Sequence, residues 1–71
     1  MLKVCNRRVD EAIYTYGKQN GVTRGVVAKK LGIGVATLNL RLTEKREWKV
    51  NELLTLSEIT GIEFDEFIEE V

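Results

Sequence analysis

Apolar residues recur along this chain at spacings of three and four, the repeat of an amphipathic α-helix. A first helix is predicted over 6–18, and it is expected to end at Gly21, because glycine readily adopts the left-handed conformation of a helix C-terminus. Its apolar stripe consists of Val9, Ala12, Ile13 and Tyr16. The same kind of pattern predicts further helices over 24–31, 35–42, 50–60 and 63–71. The expected fold class is therefore all-α, a compact bundle of about five short helices.

The second and third predicted helices are separated by a very short connection. Thr23 is placed to cap the second helix, since its hydroxyl can accept a hydrogen bond from the first turn. Gly32-Ile33-Gly34 then forms a corner, and the helical pattern resumes at Val35. Two short helices joined by three or four residues that include glycine are typical of a helix-turn-helix, here over 23–42. Small and apolar residues are expected to pack at the corner, namely Ala28, Leu31, Ile33 and Leu38.

The composition excludes several classes of function. The chain has 71 residues, no histidine and one cysteine, Cys5. A single domain spanning 1–71 is expected, since domains typically run about 100–150 residues. Without histidine there is no Ser-His-Asp triad, histidine general base or histidine metal ligand. One cysteine forms neither an intramolecular disulfide nor a zinc-binding CxxC pair. We expect no enzymatic activity, no cofactor and no metal site, and we expect Cys5 to be inert.

The hydropathy pattern bears on location. No apolar run approaches the roughly 18–20 residues of a membrane span, and the stretch after Val4 is too polar for a signal peptide. A lone cysteine is also typical of a reducing compartment. These features predict a soluble cytoplasmic protein with no membrane partner.

The formal net charge of zero conceals a division of the chain. All eleven Lys and Arg residues lie in 1–49 with four acids, which gives this part a net charge of +7. Residues 50–71 carry seven acids and no basic residue, a net charge of −7. A domain with such a charge asymmetry can direct its basic side towards nucleic acid and its acidic end away from it.

In order and spacing, several segments of the chain resemble the lambda-repressor/Cro-type (XRE class) helix-turn-helix family, and most of all its small phage-encoded members. These segments are 21–24, 27–33, 37–38, 45–46 and 53–62, and the resemblance covers about 6–67. It implies a lambda-repressor-like fold and a sequence-specific DNA-binding transcription regulator in a bacterial or phage-infected cell. The chain departs from the family at Arg24 (commonly Gln), at Gly34 (usually Ser) and at Thr43-Glu44 (usually Asn-Gly).

The resemblance implies that the helix over 35–42 lies in the major groove of double-stranded DNA. A helix beginning near Val35 turns Leu38 and Leu42 inwards. The candidates for base contacts on the outward side are Val35, Ala36, Asn39 and Leu40. Asparagine can pair with adenine, and small apolar side chains can contact the thymine methyl, so an A·T preference is expected. The alternatives are that Leu40 belongs to the core and that Asn39 is an ordinary solvated residue.

Phosphate contacts are expected from basic and hydroxyl side chains around this helix. The candidates are Arg24, Lys29, Lys30, Thr37, Arg41, Lys45 and Arg46. Taken alone, the neighbouring cations Lys29-Lys30 and Lys45-Arg46 are each more typical of a solvated face than of a phosphate site. Trp48 is expected to pack in the core against the fourth helix rather than to stack on bases.

The predicted last helix is acidic on one side and apolar on the other. Its large apolar residues exceed what a core of this size can cover and are a candidate dimer surface: Phe64, Phe67, Ile68 and Val71. We therefore expect a homodimer that binds two half-sites, and a protein partner could contact the acidic helix. The alternative function is a protein-interaction module, antitoxin-like or adaptor-like, that contacts its partner through Glu44 and the apolar face of the helix over 35–42.

Overall fold

Four α-helices and one small antiparallel sheet make up the protein in a computed structural model that describes all 71 residues. The elements in chain order are β1 Leu2–Val4, α1 Asn6–Asn20, α2 Arg24–Lys30, α3 Val35–Leu42, α4 Val50–Thr60, a 3₁₀ helix Phe64–Phe67 and β2 Ile68–Glu70. None of the helices combines the length and the apolar character needed to cross a lipid bilayer.

Local signals set the ends of α1, α2 and α4, and those at Gly21 and Thr23 are the ones that the sequence predicts. The hydroxyl of Thr23 accepts a hydrogen bond from the backbone N–H of Val26 at 3.3 Å and caps α2. Gly21 ends α1 with a φ of 64°, and Gly61 ends α4 with a φ of 75°. Both angles lie in the left-handed region that favours glycine. The predicted helices over 35–42 and 50–60 are confirmed with these bounds, and α1 runs two residues beyond the prediction.

One hydrophobic core joins all four helices. Its members are Val9, Ala12, Ile13, Val27, Ala28, Leu31, Leu38, Leu53, Leu56 and Phe67. The α1 helix packs against α2 and α3 and also against α4 and the 3₁₀ helix, so it contacts every other helical element of the fold. Ala28 and Leu38 are fully buried between α2 and α3, with Ile33 packed against them, as the sequence predicts for this corner. The core thereby fixes the position of α3.

The prediction of a compact, mostly helical domain is confirmed, but the C-terminal helix over 63–71 is wrong, so the protein has four α-helices and a small sheet in place of an all-α fold of five helices. Only one 3₁₀ turn forms, and β2 then pairs with β1 in the register Val4 to Ile68, Lys3 to Glu69 and Leu2 to Glu70. A helix here would place Glu69 and Glu70 at its negative C-terminal end, which is unfavourable. The strand pairing instead sets Glu69 opposite Lys3, and the N–H of Cys5 donates to the carbonyl of Phe67 at 2.7 Å.

Candidate functional site

The α3 helix has one buried side and one exposed side. Leu38 and Arg41 are buried, whereas Ala36 and Asn39 are exposed and Val35 is 48% exposed. Leu40 is half-buried at the border and does not belong to the core. Three of the four residues proposed for base contacts therefore share an open surface, and the fourth lies at its edge.

Arg24 connects three helices at this surface. It is the first residue of α2, and its Nη2 lies 2.6 Å from Asp10 Oδ1 on α1. Its Nη1 donates to Oδ1 of Asn39 on α3 at 3.4 Å. The sequence predicts Arg24 as a phosphate ligand. In the structure its guanidinium already has a carboxylate partner and contacts one of the candidate base-reading side chains.

Four exposed cations near α3 have no ion-pair partner. Lys29 and Lys30 belong to the last turn of α2, and Lys45 and Arg46 follow α3. None of the four has a carboxylate within 4.0 Å, while the protein's ion pairs are Lys3–Glu44, Arg7–Glu11, Arg24–Asp10 and Arg41–Glu52. Their ammonium and guanidinium groups are therefore free to bind an external anion.

The connection after α3 is held in place by several hydrogen bonds. The N–H groups of Lys45 and Arg46 both donate to the carbonyl of Leu40, at 3.0 and 3.1 Å. Trp48 is half-buried against the core, as predicted in part, and donates its Nε1–H to Asn6 Oδ1 of α1 at 2.8 Å. Glu44 has a φ of 65°, a left-handed conformation. The backbone that carries the cations of this connection is thus fixed relative to α3.

Thr37, another candidate phosphate ligand, lies on the first turns of α3. Its side chain is half-buried, and its hydroxyl makes no hydrogen bond within the protein. The hydroxyl of Thr43, six residues further on, instead donates to the carbonyl of Asn39 at 2.8 Å. Thr37 thus keeps its hydrogen-bonding capacity for an external partner.

Arg41 is not available for phosphate, and its assignment as a phosphate ligand is wrong. Its side chain is buried, with Nε 3.0 Å from Oε1 and Nη2 3.1 Å from Oε2 of Glu52 on α4. The helical repeat indicates that Arg41 is buried, because residues 38, 41 and 42 lie on one side of α3. A buried guanidinium whose Nε and Nη2 both donate to one carboxylate stabilises the packing of α3 on α4 and is not placed to bind an external anion.

Glu52 is held in its charged form. Burial raises the pKa of its carboxyl, but the hydrogen bonds from Arg41 and from the Lys49 backbone N–H, together with the charges of these two residues, outweigh burial and lower the pKa below its ordinary value. The Lys49 N–H lies 3.0 Å from Glu52 Oε1 at the start of α4. The same carboxylate therefore neutralises Arg41 and caps a helix.

The four residues of the candidate dimer surface do not form one exposed patch. Phe67 is 1% exposed and belongs to the core, so its assignment to a dimer surface is wrong. Phe64 and Ile68 are half-buried and pack against the core, and only Val71 is largely exposed, at 66%. Two exposed apolar residues that the sequence does not single out, Met1 and Leu2, lie beside Val71, whose N–H donates to the carbonyl of Met1.

No group of three or more acidic or cysteine side chains is arranged to hold a metal ion. Comparisons with protein-family models, with curated proteins and with solved structures gave no significant match to this chain.

Proposed function

We propose that the protein is a sequence-specific DNA-binding transcription regulator of the phage repressor/Cro type. In this proposal α2, residues 31–34 and α3 act as a helix-turn-helix, and α3 lies in the major groove. The observation that carries it is the division of α3 into a side anchored by Leu38 and Arg41 and an open side with Asn39. A helix whose buried side is fixed by packing can present the side chains of its exposed side to base edges.

The chemistry of the open side fits base recognition. Asn39 offers a carboxamide, which can pair with adenine through one donor and one acceptor. Val35 and Ala36, one turn before it, offer methyl groups that can contact the thymine methyl. The proposed preference is therefore for A·T pairs.

The charges around α3 fit a polyanion. Lys29, Lys30, Lys45 and Arg46 are exposed and unpaired on the two elements that flank α3. Cations in this position neutralise phosphates and release counterions, which strengthens binding to any duplex and makes it dependent on salt. Base contacts then add the sequence preference.

Titration of a labelled random-sequence duplex at several salt concentrations tests DNA binding. If four phosphates are neutralised per protomer, the plot of log K against log salt should fall with a slope of about −4. Selection from a random duplex pool then tests base preference. We expect N39A to lose discrimination at one base pair by about tenfold, near the low end for a bidentate contact.

A matched control comes from α4. Asn51 is an exposed asparagine near the start of that helix, and it is not among the residues assigned to the interface. N51A should leave both affinity and base preference unchanged.

The second candidate is a protein-interaction module that uses the same helices. It is favoured by two exposed valines of this unit, Val26 at 40% and Val35 at 48% exposure. A folded protein that binds no duplex at about 50 mM salt would contradict DNA binding and favour this second function. Equal behaviour of N39A and N51A on the selected sequences would contradict the assigned role of α3.

A further inference from the structure

The contact between Asp10, Arg24 and Asn39 leads to one inference that rests on the proposed function. We infer that Asp10, on α1, is a positioning residue that sets the base preference of α3 through Arg24. Asp10 does not itself contact DNA in this inference. It holds the guanidinium of Arg24, which in turn fixes the orientation of the Asn39 carboxamide.

The geometry supports a fixed guanidinium. Arg24 Nη2 lies 2.6 Å from Asp10 Oδ1, which is the short distance of a charge-assisted hydrogen bond. The backbone of Arg24 is also constrained, because this residue begins α2 directly after the Thr23 cap. Once Nη2 is bound and the guanidinium is planar, the direction of Nη1 is set, and Nη1 lies 3.4 Å from Asn39 Oδ1.

The donor chemistry then determines how the carboxamide is turned. A guanidinium has five N–H donors and no acceptor, so the Asn39 atom that faces Arg24 must be oxygen. The Nδ2 amino group therefore points away from Arg24, and it donates to no group in the protein. Without this contact the amide could turn over and exchange its donor and acceptor positions.

This orientation leaves the groups that adenine requires. Pairing with adenine uses Nδ2 as the donor to N7 and Oδ1 as the acceptor from the N6 amino group. A carbonyl oxygen has two acceptor sites, of which Arg24 occupies one. Asn39 is therefore already oriented before it meets DNA, and the reorganisation that binding would otherwise require is reduced.

A simpler role for Arg24 is that of a phosphate ligand that happens to rest on Asp10, since exposed ion pairs contribute little to stability. The two roles predict different losses. A phosphate ligand affects all sequences alike and changes the salt slope. A positioning residue affects discrimination between base pairs and leaves the salt slope of a charge-preserving variant unchanged.

The decisive variants are D10N and R24K, with E11Q as the matched control. Glu11 is the neighbouring exposed acid on α1, and it pairs with Arg7 instead of Arg24. D10N and E11Q remove the same charge, but only D10N weakens the contact that holds Arg24, since a neutral amide is a poorer acceptor than a carboxylate. R24K keeps the positive charge but cannot bridge two acceptors with a planar fork.

Selection from a random duplex pool, followed by sequencing, measures base preference for each variant. We expect D10N and R24K to lose discrimination at the base pair affected by N39A, by about tenfold, whereas E11Q keeps it. The double variant D10N/N39A should discriminate no less than N39A alone, since both changes remove one interaction. D10N that behaves like E11Q in this selection would overturn the inference.

NMR of the free protein separates this inference from the proposed function. The side-chain N–H₂ signals of Asn39 should move in D10N and R24K and stay in place in E11Q, with no DNA present. If the protein bound no duplex, the proposed function would fail while this measurement still tested the contact itself. Unmoved Asn39 signals in D10N would overturn the inference, and so would moved signals accompanied by unchanged base preference.

Discussion

Arg41 and Glu52 are the charged residues that the fold buries, at 8% and 4% exposure. Taking two charges out of water is costly, and the cost is offset here by two parallel hydrogen bonds and by a third to the Lys49 N–H. The pair links the buried side of α3 to the first turn of α4. It therefore contributes to holding the open side of α3 in place.

E52Q should strongly destabilise the protein, because it leaves the Arg41 charge buried without a partner. The expected loss in the free energy of unfolding is about 3–5 kcal/mol, measured by urea denaturation. E58Q, at an exposed position of the same helix, should change stability by less than about 0.5 kcal/mol. Replacing both partners, as in R41M/E52L, should recover most of the loss. Equal stability of E52Q and E58Q would show that the pair is not important.

The pH dependence of stability has a definite sign at this residue. The pKa of Glu52 is lower in the folded protein than its ordinary value of 4.5, so folding favours the charged carboxylate. Its contribution is fully present above pH 4.5 and is lost as the pH falls through the lowered pKa. The stability difference between the unmodified protein and E52Q should therefore shrink in acid. A difference that grew on acidification would contradict this assignment.

At the scale of single residues, the helical repeat predicts part of the candidate site. It places Asn39 and Ala36 outwards on α3, and both are exposed. The same repeat places Arg41 on the side of Leu38 and Leu42, although a charged side chain such as that of Arg41 is usually exposed to solvent. Its burial depends on Glu52, eleven residues further on, and no local pattern joins the two. The contact of Arg24 with Asp10 and Asn39 likewise depends on the packing of three helices.

In the C-terminal segment the predicted type of element is wrong, although the apolar residues on which the prediction rests do pack on the core. Phe64, Phe67 and Ile68 have helical spacing, but a short isolated helix is marginal in water. The pairing of β1 with β2 provides backbone hydrogen bonds instead, and it sets Glu69 across from Lys3. By contrast α1, α2 and α4 were predictable because Gly21, Thr23 and Gly61 act within one turn. The partners in the sheet, such as Val4 and Ile68, are distant in sequence and leave no such signal.

Phe67 should act as a core residue and not as an interface residue. F67A is expected to lower the free energy of unfolding by about 3–5 kcal/mol, since it removes a fully buried aromatic side chain. V71A, at a 66% exposed position, should cost less than about 0.5 kcal/mol. Urea denaturation measures both, and light scattering over a range of concentrations reports self-association. A dimer that dissociates in F67A with its fold and stability intact would restore the assignment of Phe67 to an interface.

Across the whole molecule, α1 contacts both the helices that carry the proposed interface and the acidic C-terminal segment. It packs against α2 and α3 and also against the 3₁₀ helix. Two basic residues of 1–49 lie beside the acidic segment, since Lys3 is the cross-strand neighbour of Glu69 and Arg8 donates to the carbonyl of Glu66. The positive charge available at α2 and α3 is therefore smaller than the net charge of +7 for residues 1–49 suggests.

This arrangement predicts that two neutralised pairs of charges affect DNA binding differently. K29Q/K30Q should reduce the steepness of the salt dependence by about two, because each lysine is assigned one phosphate contact. E63Q/E70Q changes two exposed acids of the C-terminal segment and should leave that slope unchanged, since this segment packs mainly on α1, α4 and β1. Both variants keep the core, so circular dichroism should show the same fold. If E63Q/E70Q changed the slope as much as K29Q/K30Q, DNA would have to contact the acidic end, and α2 and α3 would not form the interface.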